Sequence, residues 1–162
     1  MIMAKKTSET PATLWLKQRK IPFSEHIYDY AAKGGANDAA KKLGLDPHIT
    51  IKTLVMEDEK KQPLIILMHG DQEVSTKNLA RQTGVKHIQP CEPNTAQRHS
   101  GYLVGGTSPF GTRKTMPVWV QKSILDYESI YINGGKRGLL IQINPKILVD
   151  YLKAKPVDVA LD

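Results

Sequence analysis

A lysine stands in the middle of an apolar, β-branched run, Ile49-Thr50-Ile51-Lys52-Thr53-Leu54-Val55-Met56. The strand period of two sets Lys52 beside Thr50 and Leu54 and turns Ile51, Thr53 and Val55 to the other face. Such a charge can lie on a solvent-facing edge, its methylenes covering apolar surface. It can equally line a pocket and bind phosphate or carboxylate, because a desolvated ammonium must be paired. A second feature is the loop Gly101-Tyr102-Leu103-Val104-Gly105-Gly106-Thr107-Ser108-Pro109-Phe110-Gly111, with Gly at four of eleven positions. Adjacent glycines let successive N–H groups converge on one anionic point, which suits phosphate binding or an oxyanion, although a tight connection between strands also uses glycine.

Two catalytic motifs come near this loop and fail. Gly106 and Gly111 have P-loop spacing, but Thr112-Arg113 stands where Lys-Ser/Thr is required, and Pro117 to Gln121 reads as strand where a helix should follow. Ser108 is no nucleophile elbow, since Phe110 occupies the position of the second glycine. His26, His48, His69, His87 and His99 show no metal-ligand spacing, so no metal site is expected. Cys91, between Pro90 and Glu92, has no identifiable partner base and reads as a small structural residue. Asn133-Gly134-Gly135-Lys136-Arg137-Gly138 is a hairpin turn followed by two cations. Lys136 and Arg137 are either solvated charges or, with Arg113, Lys114 and Lys122, parts of a nucleic-acid contact patch.

These residues need a framework. Thr10-Pro11 reads as the cap and first position of a helix to about Arg19, with Ala12, Trp15 and Leu16 on one face. Pro22 to Tyr30 alternates as a half-buried strand, Phe23 and Ile27 on one face and His26, Tyr28 and Tyr30 on the other, ending at Gly34-Gly35. Asn37 caps a short helix closed by Gly44, and Asp46-Pro47 turns the chain into the lysine-bearing strand. Glu57 to Lys61 is a hairpin loop, and Pro63 to Met68 returns antiparallel. Ser75 caps a helix to Gly84, Val85 to Gln89 suits a strand, and Pro93 opens a helix that Gly101 closes. Short strands at Tyr102 to Val104 and Val118 to Gln121, a hairpin over Ser129 to Asn144 and a helix from Pro145 capped by Asn144 complete the chain. About seven strands with local hairpins and interspersed helices give an α+β (mixed α/β) class with a mixed, largely antiparallel sheet.

The 162 residues suit one domain, residues 1–162. Forty per cent hydrophobic and 24% charged residues exclude a disordered or fibrous chain. Lys plus Arg number 23 against 16 Asp plus Glu, and the pI near 9.4 favours a polyanionic partner. One cysteine excludes an internal disulfide and fits a reducing cytoplasm. Apolar runs such as Leu64 to Met68 are far short of the ~20 residues that span a bilayer, and Met1 to Lys6 lacks a secretory h-region.

Together, Thr10-Pro11-Ala12, Lys42-Leu43-Gly44-Leu45, Ile51-Lys52-Thr53-Leu54, the block Ser100 to Pro109 and Gly134-Gly135-Lys136-Arg137-Gly138-Leu139 resemble the YbaK/EbsC-type Cys-tRNA(Pro) deacylases of the YbaK/prolyl-tRNA synthetase editing-domain superfamily. The resemblance runs in order over a core of about residues 10–155 and implies a mixed sheet closing toward a barrel and flanked by helices. It implies a trans-editing enzyme that removes cysteine from mischarged tRNA(Pro), with prolyl-tRNA synthetase as a partner and no cofactor or metal. Cysteine and proline are close in size, so a synthetase pocket separates them only modestly and a second site must destroy the error. By the same resemblance Lys52 engages the terminal nucleotide, while Gly105, Gly106 and Ser108 form the catalytic loop around the aminoacyl ester. Tyr28 packs against the terminal adenosine or aminoacyl group, and Thr53, Gly101, Pro109, Asn133, Lys136 and Arg137 are substrate-binding positions. The implied mechanism is substrate-assisted, the cysteinyl thiol attacking its own ester. The chain departs from many relatives at Asn133, where they carry Ser, at Leu140, where they carry an acid, and in a short loop from Ala31 to Ala36. These departures leave open deacylation of another small aminoacyl group such as alanyl, or a non-catalytic tRNA- or synthetase-binding module.

Overall fold

The computed structural model describes residues 9–32 and 34–161, so the reading of Met1 to Lys6 lies outside the described residues. Helix α1 (Pro11–Gln18) starts where expected: Thr10 Oγ1 accepts from Thr13 N–H while Thr13 Oγ1 accepts from Thr10 N–H, a reciprocal cap. Thr10 also donates to Gly134 C=O, which ties this end of α1 to the later hairpin turn. Ala12 and Leu16 are fully buried and Trp15 packs partly on the same core.

Ten strands are assigned among the described residues, three more than the sequence suggests. They are β1 (Ser24–Ile27), β2 (Thr50–Asp58), β3 (Pro63–His69), β4 (Glu73–Val74), β5 (Ile88–Pro90), β6 (Val118–Gln121), β7 (Ile130–Asn133), β8 (Leu139–Ile143), β9 (Lys155–Val157) and β10 (Ala160–Leu161). Seven follow the order β1-β8-β7-β2-β3-β6-β9, β5 pairs with β2, and β4 pairs with β10 separately. The expected hairpins β2/β3 and β7/β8 are antiparallel, whereas β2/β7, β3/β6 and β6/β9 are parallel, which makes the sheet mixed. Around it stand α2 (Gly35–Leu43), α3 (Thr76–Thr83), α4 (Pro93–Ser100) and α5 (Lys146–Leu152).

Every residue of β3 is buried because both faces of the sheet are covered, so this strand reads as a continuous apolar run. Ile65 and Leu67 join Ile51, Val55 and Phe110 in one cluster; Leu64, Ile66 and Met68 join Met56, Leu79 and Val159 in the other. Gly44, Gly84 and Gly101 close α2, α3 and α4 in the left-handed region, and Ser75 Oγ accepts from Asn78 N–H at the start of α3. Asn144 Oδ1 accepts from Lys146 N–H at the start of α5.

Several local expectations are corrected. Tyr102 to Val104 is not a strand: the segment lies alongside no partner, and it is held instead by Tyr102 N–H on Ser100 Oγ and Tyr102 O–H on Phe110 C=O. Asn37 does not cap α2, which already begins at Gly35 with Asp38 N–H bonded to Gly34 C=O. Ile27 is 64% exposed, because β1 ends the sheet and the face carrying Ile27 is left uncovered. The strand expected over Val85 to Gln89 forms only at Ile88–Pro90, after Glu59 has accepted from Lys86 and His87 N–H.

Candidate functional site

The framework leaves a gap along one edge of β2. Strand β7 pairs with Thr50 and Ile51, and β5 pairs with Met56 to Asp58; between them β2 keeps β3 on its other side only. Cys91 N–H bonds Val55 C=O at the far end of the gap. The β2/β3 register is continuous, so backbone alternation places the Thr53 amide and carbonyl on the same open edge as Val55 C=O. A cavity of about 520 Å³ occupies this gap, a size suited to a small ligand or one nucleotide end.

Lys52, Thr53, Tyr28, Gly105 and Asn133 line this cavity together, although the sequence separates the outermost of them by more than a hundred residues. Lys52 donates from Nζ to Glu73 Oε2 at 3.1 Å; its side chain is 20% exposed and that of Glu73 is 81% exposed. These are the charged residues of the lining. Ile51, Val55, Ala96 and Leu140 supply apolar surface. Thr53 Oγ1 is inaccessible to solvent and has no hydrogen-bond partner, the one such side-chain atom among the described residues. Burial raises the Tyr28 phenol above its ordinary range, so it stays protonated and able to donate.

The glycine loop and the β7/β8 turn form one wall. Asn133 donates from Nδ2 to Gly105 C=O at 3.0 Å and accepts Gly135 N–H on Oδ1 at 2.7 Å. Arg137 donates from Nε to Val104 C=O at 2.9 Å, and its guanidinium lies 5.0 Å from the Tyr30 ring centre. Two of the glycines are required here. At Gly105, φ is +91° and an added Cβ would lie 2.5 Å from the Tyr30 hydroxyl; at Gly106 it would lie 2.8 Å from Arg137 N.

Other expected site residues stand back from the cavity. Ser108 is fully buried and its Oγ accepts Phe110 N–H, so its hydroxyl faces the interior of the loop. Gly106 N–H is bonded to Leu103 C=O, and Pro109 is buried. Gly101 ends α4 beneath the Arg113 side chain. Lys136 and Arg137 lie on the turn behind Gly106 and Asn133 rather than in the lining. Lys122 pairs with Asp158 at 3.5 Å on the β6 side of the sheet, apart from Arg113 beside Gly101 and Arg137 over Tyr30.

The lining also contains residues that sequence patterns did not single out for the site: Glu73, Tyr30, Val104, Thr107 and Cys91. Burial pushes the Cys91 thiol up to about 11, and its Sγ donates to Glu57 Oε1 at 3.7 Å. Glu57 is a poor base for it, because hydrogen bonds from Lys61 and Gln89 hold that carboxyl below its ordinary range. Away from the cavity, His69 stacks on His48 at 3.7 Å between ring centres and bonds Ser123 Oγ through Nε2 at 2.7 Å. Among the described residues no group of three His, Cys, Asp or Glu could hold a metal ion, and no helix is long and apolar enough to cross a membrane.

The family model for aminoacyl-tRNA editing domains matches residues 32–151, a span that contains Lys52, the glycine loop and the β7/β8 turn. The chain belongs to the aminoacyl-tRNA editing domain family. It is 30% identical over 150 residues to EbsC of Enterococcus faecalis, a protein named as a candidate Cys-tRNA(Pro)/Cys-tRNA(Cys) deacylase, covering 91% of this chain and 92% of that one. A proline–tRNA ligase from Thermodesulfovibrio yellowstonii is 31% identical over 107 residues, 65% of this chain and 18% of the ligase. The crystal structure of a candidate trans-editing enzyme for prolyl-tRNA synthetase superposes with a TM-score of 0.83 at 22% identity, over 94% of this chain and 96% of that one, and so shares the fold.

Proposed function

We propose that the protein removes cysteine from Cys-tRNA(Pro). The observation that carries this reading is the β2 gap, where the Lys52 ammonium, paired with Glu73, borders a cavity whose remaining lining is mostly small, apolar and hydroxyl-bearing. Lys52 engages the phosphate of the terminal nucleotide, Tyr28 packs on the adenosine or aminoacyl group, and Gly105 and Asn133 bound the ester. The EbsC likeness supports the choice of amino acid and tRNA.

The chemistry asks the protein for placement rather than a nucleophile. Cys91 is held as a thiol, and Ser108 has its hydroxyl inside the loop. In the reaction proposed, the substrate's cysteinyl sulfur attacks its own ester carbon, the C–O bond to the ribose breaks, and the thiol proton ends on the ribose oxygen. The products are tRNA with a free 3′ hydroxyl and a cyclic thiolactone, which water opens to cysteine. A confined cavity favours this by holding sulfur and carbonyl in near-attack geometry. Incubation with Cys-tRNA(Pro), Ala-tRNA(Pro) and Cys-tRNA(Cys) tests the reading: cysteine should leave tRNA(Pro) fastest. Faster alanine release reassigns the amino acid, and tRNA binding with no release of either refutes the enzyme.

A further inference from the structure

We infer that Glu73 reads the free α-ammonium of the aminoacyl group and so restricts the site to aminoacyl esters against N-blocked ones such as peptidyl or formylated esters. The inference rests on the editing-site reading above. The charged residues lining the cavity are one cation and one anion, Lys52 and Glu73, joined at 3.1 Å. An aminoacylated nucleotide end carries the complementary set: a phosphodiester anion and an α-ammonium, with neutral ribose and ester between them.

An acid in a site for a polyanion opposes binding unless it meets a cation, and this chain is otherwise basic, at +7. Once phosphate takes the Lys52 ammonium, the Glu73 carboxylate loses its partner beside an apolar lining, and the α-ammonium is the cation the substrate brings. One internal ion pair is then replaced by two intermolecular ones. The backbone at Glu73 is fixed, since β4 pairs with β10 through Glu73↔Leu161 and Val74↔Ala160, and Ser75 N–H bonds Val159 C=O at 2.7 Å. Its side chain, 81% exposed, is free to turn from Lys52 to a ligand. An N-acyl group replaces the ammonium by a neutral amide and sets a carbonyl oxygen near the carboxylate.

The test uses the full chain and three probes: an RNA minihelix ending in a 3′-amide-linked cysteine with a free amine, its N-acetyl derivative, and the unacylated minihelix. The wild type should bind the free-amine probe about fivefold more tightly than the N-acetyl one, the scale of an exposed ion pair. Glu73→Gln should bring that ratio to about one while leaving affinity for the unacylated minihelix equal or higher, because an anion beside Lys52 has gone. Glu73→Asp should restore part of the ratio. A ratio unchanged in Glu73→Gln overturns the inference, as does equal weakening of all three probes, which marks Glu73 as a mere prop for Lys52. Wild-type binding without amine preference overturns the role of Glu73 alone, and binding of none of the probes overturns the editing-site reading with it.

Discussion

Replacing Lys52 separates its contribution to folding from its contribution to the site. Its side chain is four-fifths shielded and its ammonium is paired with an exposed carboxylate. Lys52→Ala removes three shielded methylenes, roughly 2 kcal/mol of burial at ~0.8 kcal/mol each, so activity lost there would mix two causes. Lys52→Met keeps most of the stem and removes the charge. The lost ion pair contributes at most about 1 kcal/mol, because Glu73 remains in water. A charged hydrogen bond to a phosphate in the bound state contributes ~1.5–3 kcal/mol, so kcat/KM on Cys-tRNA(Pro) should fall roughly 10- to 100-fold. The salt dependence of binding should also lose one contact, about 0.7 in the log–log slope for a single-stranded end. The assay is deacylation at three salt concentrations beside a urea unfolding curve for each variant. Lys52→Met with an unchanged midpoint, kcat/KM within about twofold of wild type and the same salt slope would refute the assignment of Lys52 to the phosphate.

Gly105→Ala forces a non-glycine residue to φ +91° and drives a Cβ to 2.5 Å from the Tyr30 hydroxyl, so it should destabilise by about 1–2 kcal/mol or more and displace Tyr30 from the cavity wall, seen as a lower urea midpoint and a raised KM. Thr53→Val exchanges an unpartnered hydroxyl for a methyl of like shape and should raise stability by ~1 kcal/mol, about 2–4 °C in Tm. Burial lowers the His69 pKa from its ordinary value of about 6.5, with the stacked His48 also lowering it and the His48 carbonyl and Asp71 opposing. Below that value the unfolded chain binds the extra proton, so the stabilisation is complete above about pH 6.5 and is lost as pH falls toward the folded-state pKa. Urea midpoints should therefore drop between pH 7.5 and 5.5 by less in His69→Gln than in the wild type.

Most helix ends were legible because they are chemical and local, whereas α2 opens at Gly35 with no capping side chain and gives no such signal. Thr10, Ser75 and Asn144 are short oxygen-bearing side chains beside orphan N–H groups, and Gly44, Gly84 and Gly101 tolerate a left-handed residue, each φ lying between 69° and 84°. The β2/β3 and β7/β8 pairs were legible for the same reason, their turns being encoded in the intervening residues. Parallel pairing was not. No local signal joins β3 to β6 or β6 to β9, whose partners are chosen by which buried faces fit together. Tyr102 to Val104 has the composition of a strand but no strand lies beside it, and Tyr102 O–H bonds Phe110 C=O across the glycine loop instead.

For the site, alternation identified the face of Lys52 but could not say what lay over it. That depends on β2 being paired at both ends and open in the middle, a consequence of where β7 and β5 happen to diverge. The same opening explains why Lys52 and Thr53, on opposite faces of one strand, border one cavity: the ligand space lies at the strand's edge, where both faces and the backbone between them are within reach. Glu73 has no local signal of its own: a lone acid on a two-residue strand joins the site only because the fold sets it beside Lys52, with β4 held by β10. Extending the parallel β2/β7 pairing one step past Ile51 would set Asn133 beside Lys52 and close the gap, so the cavity depends on the chain turning away at Asn133, where Oδ1 accepts Gly135 N–H instead.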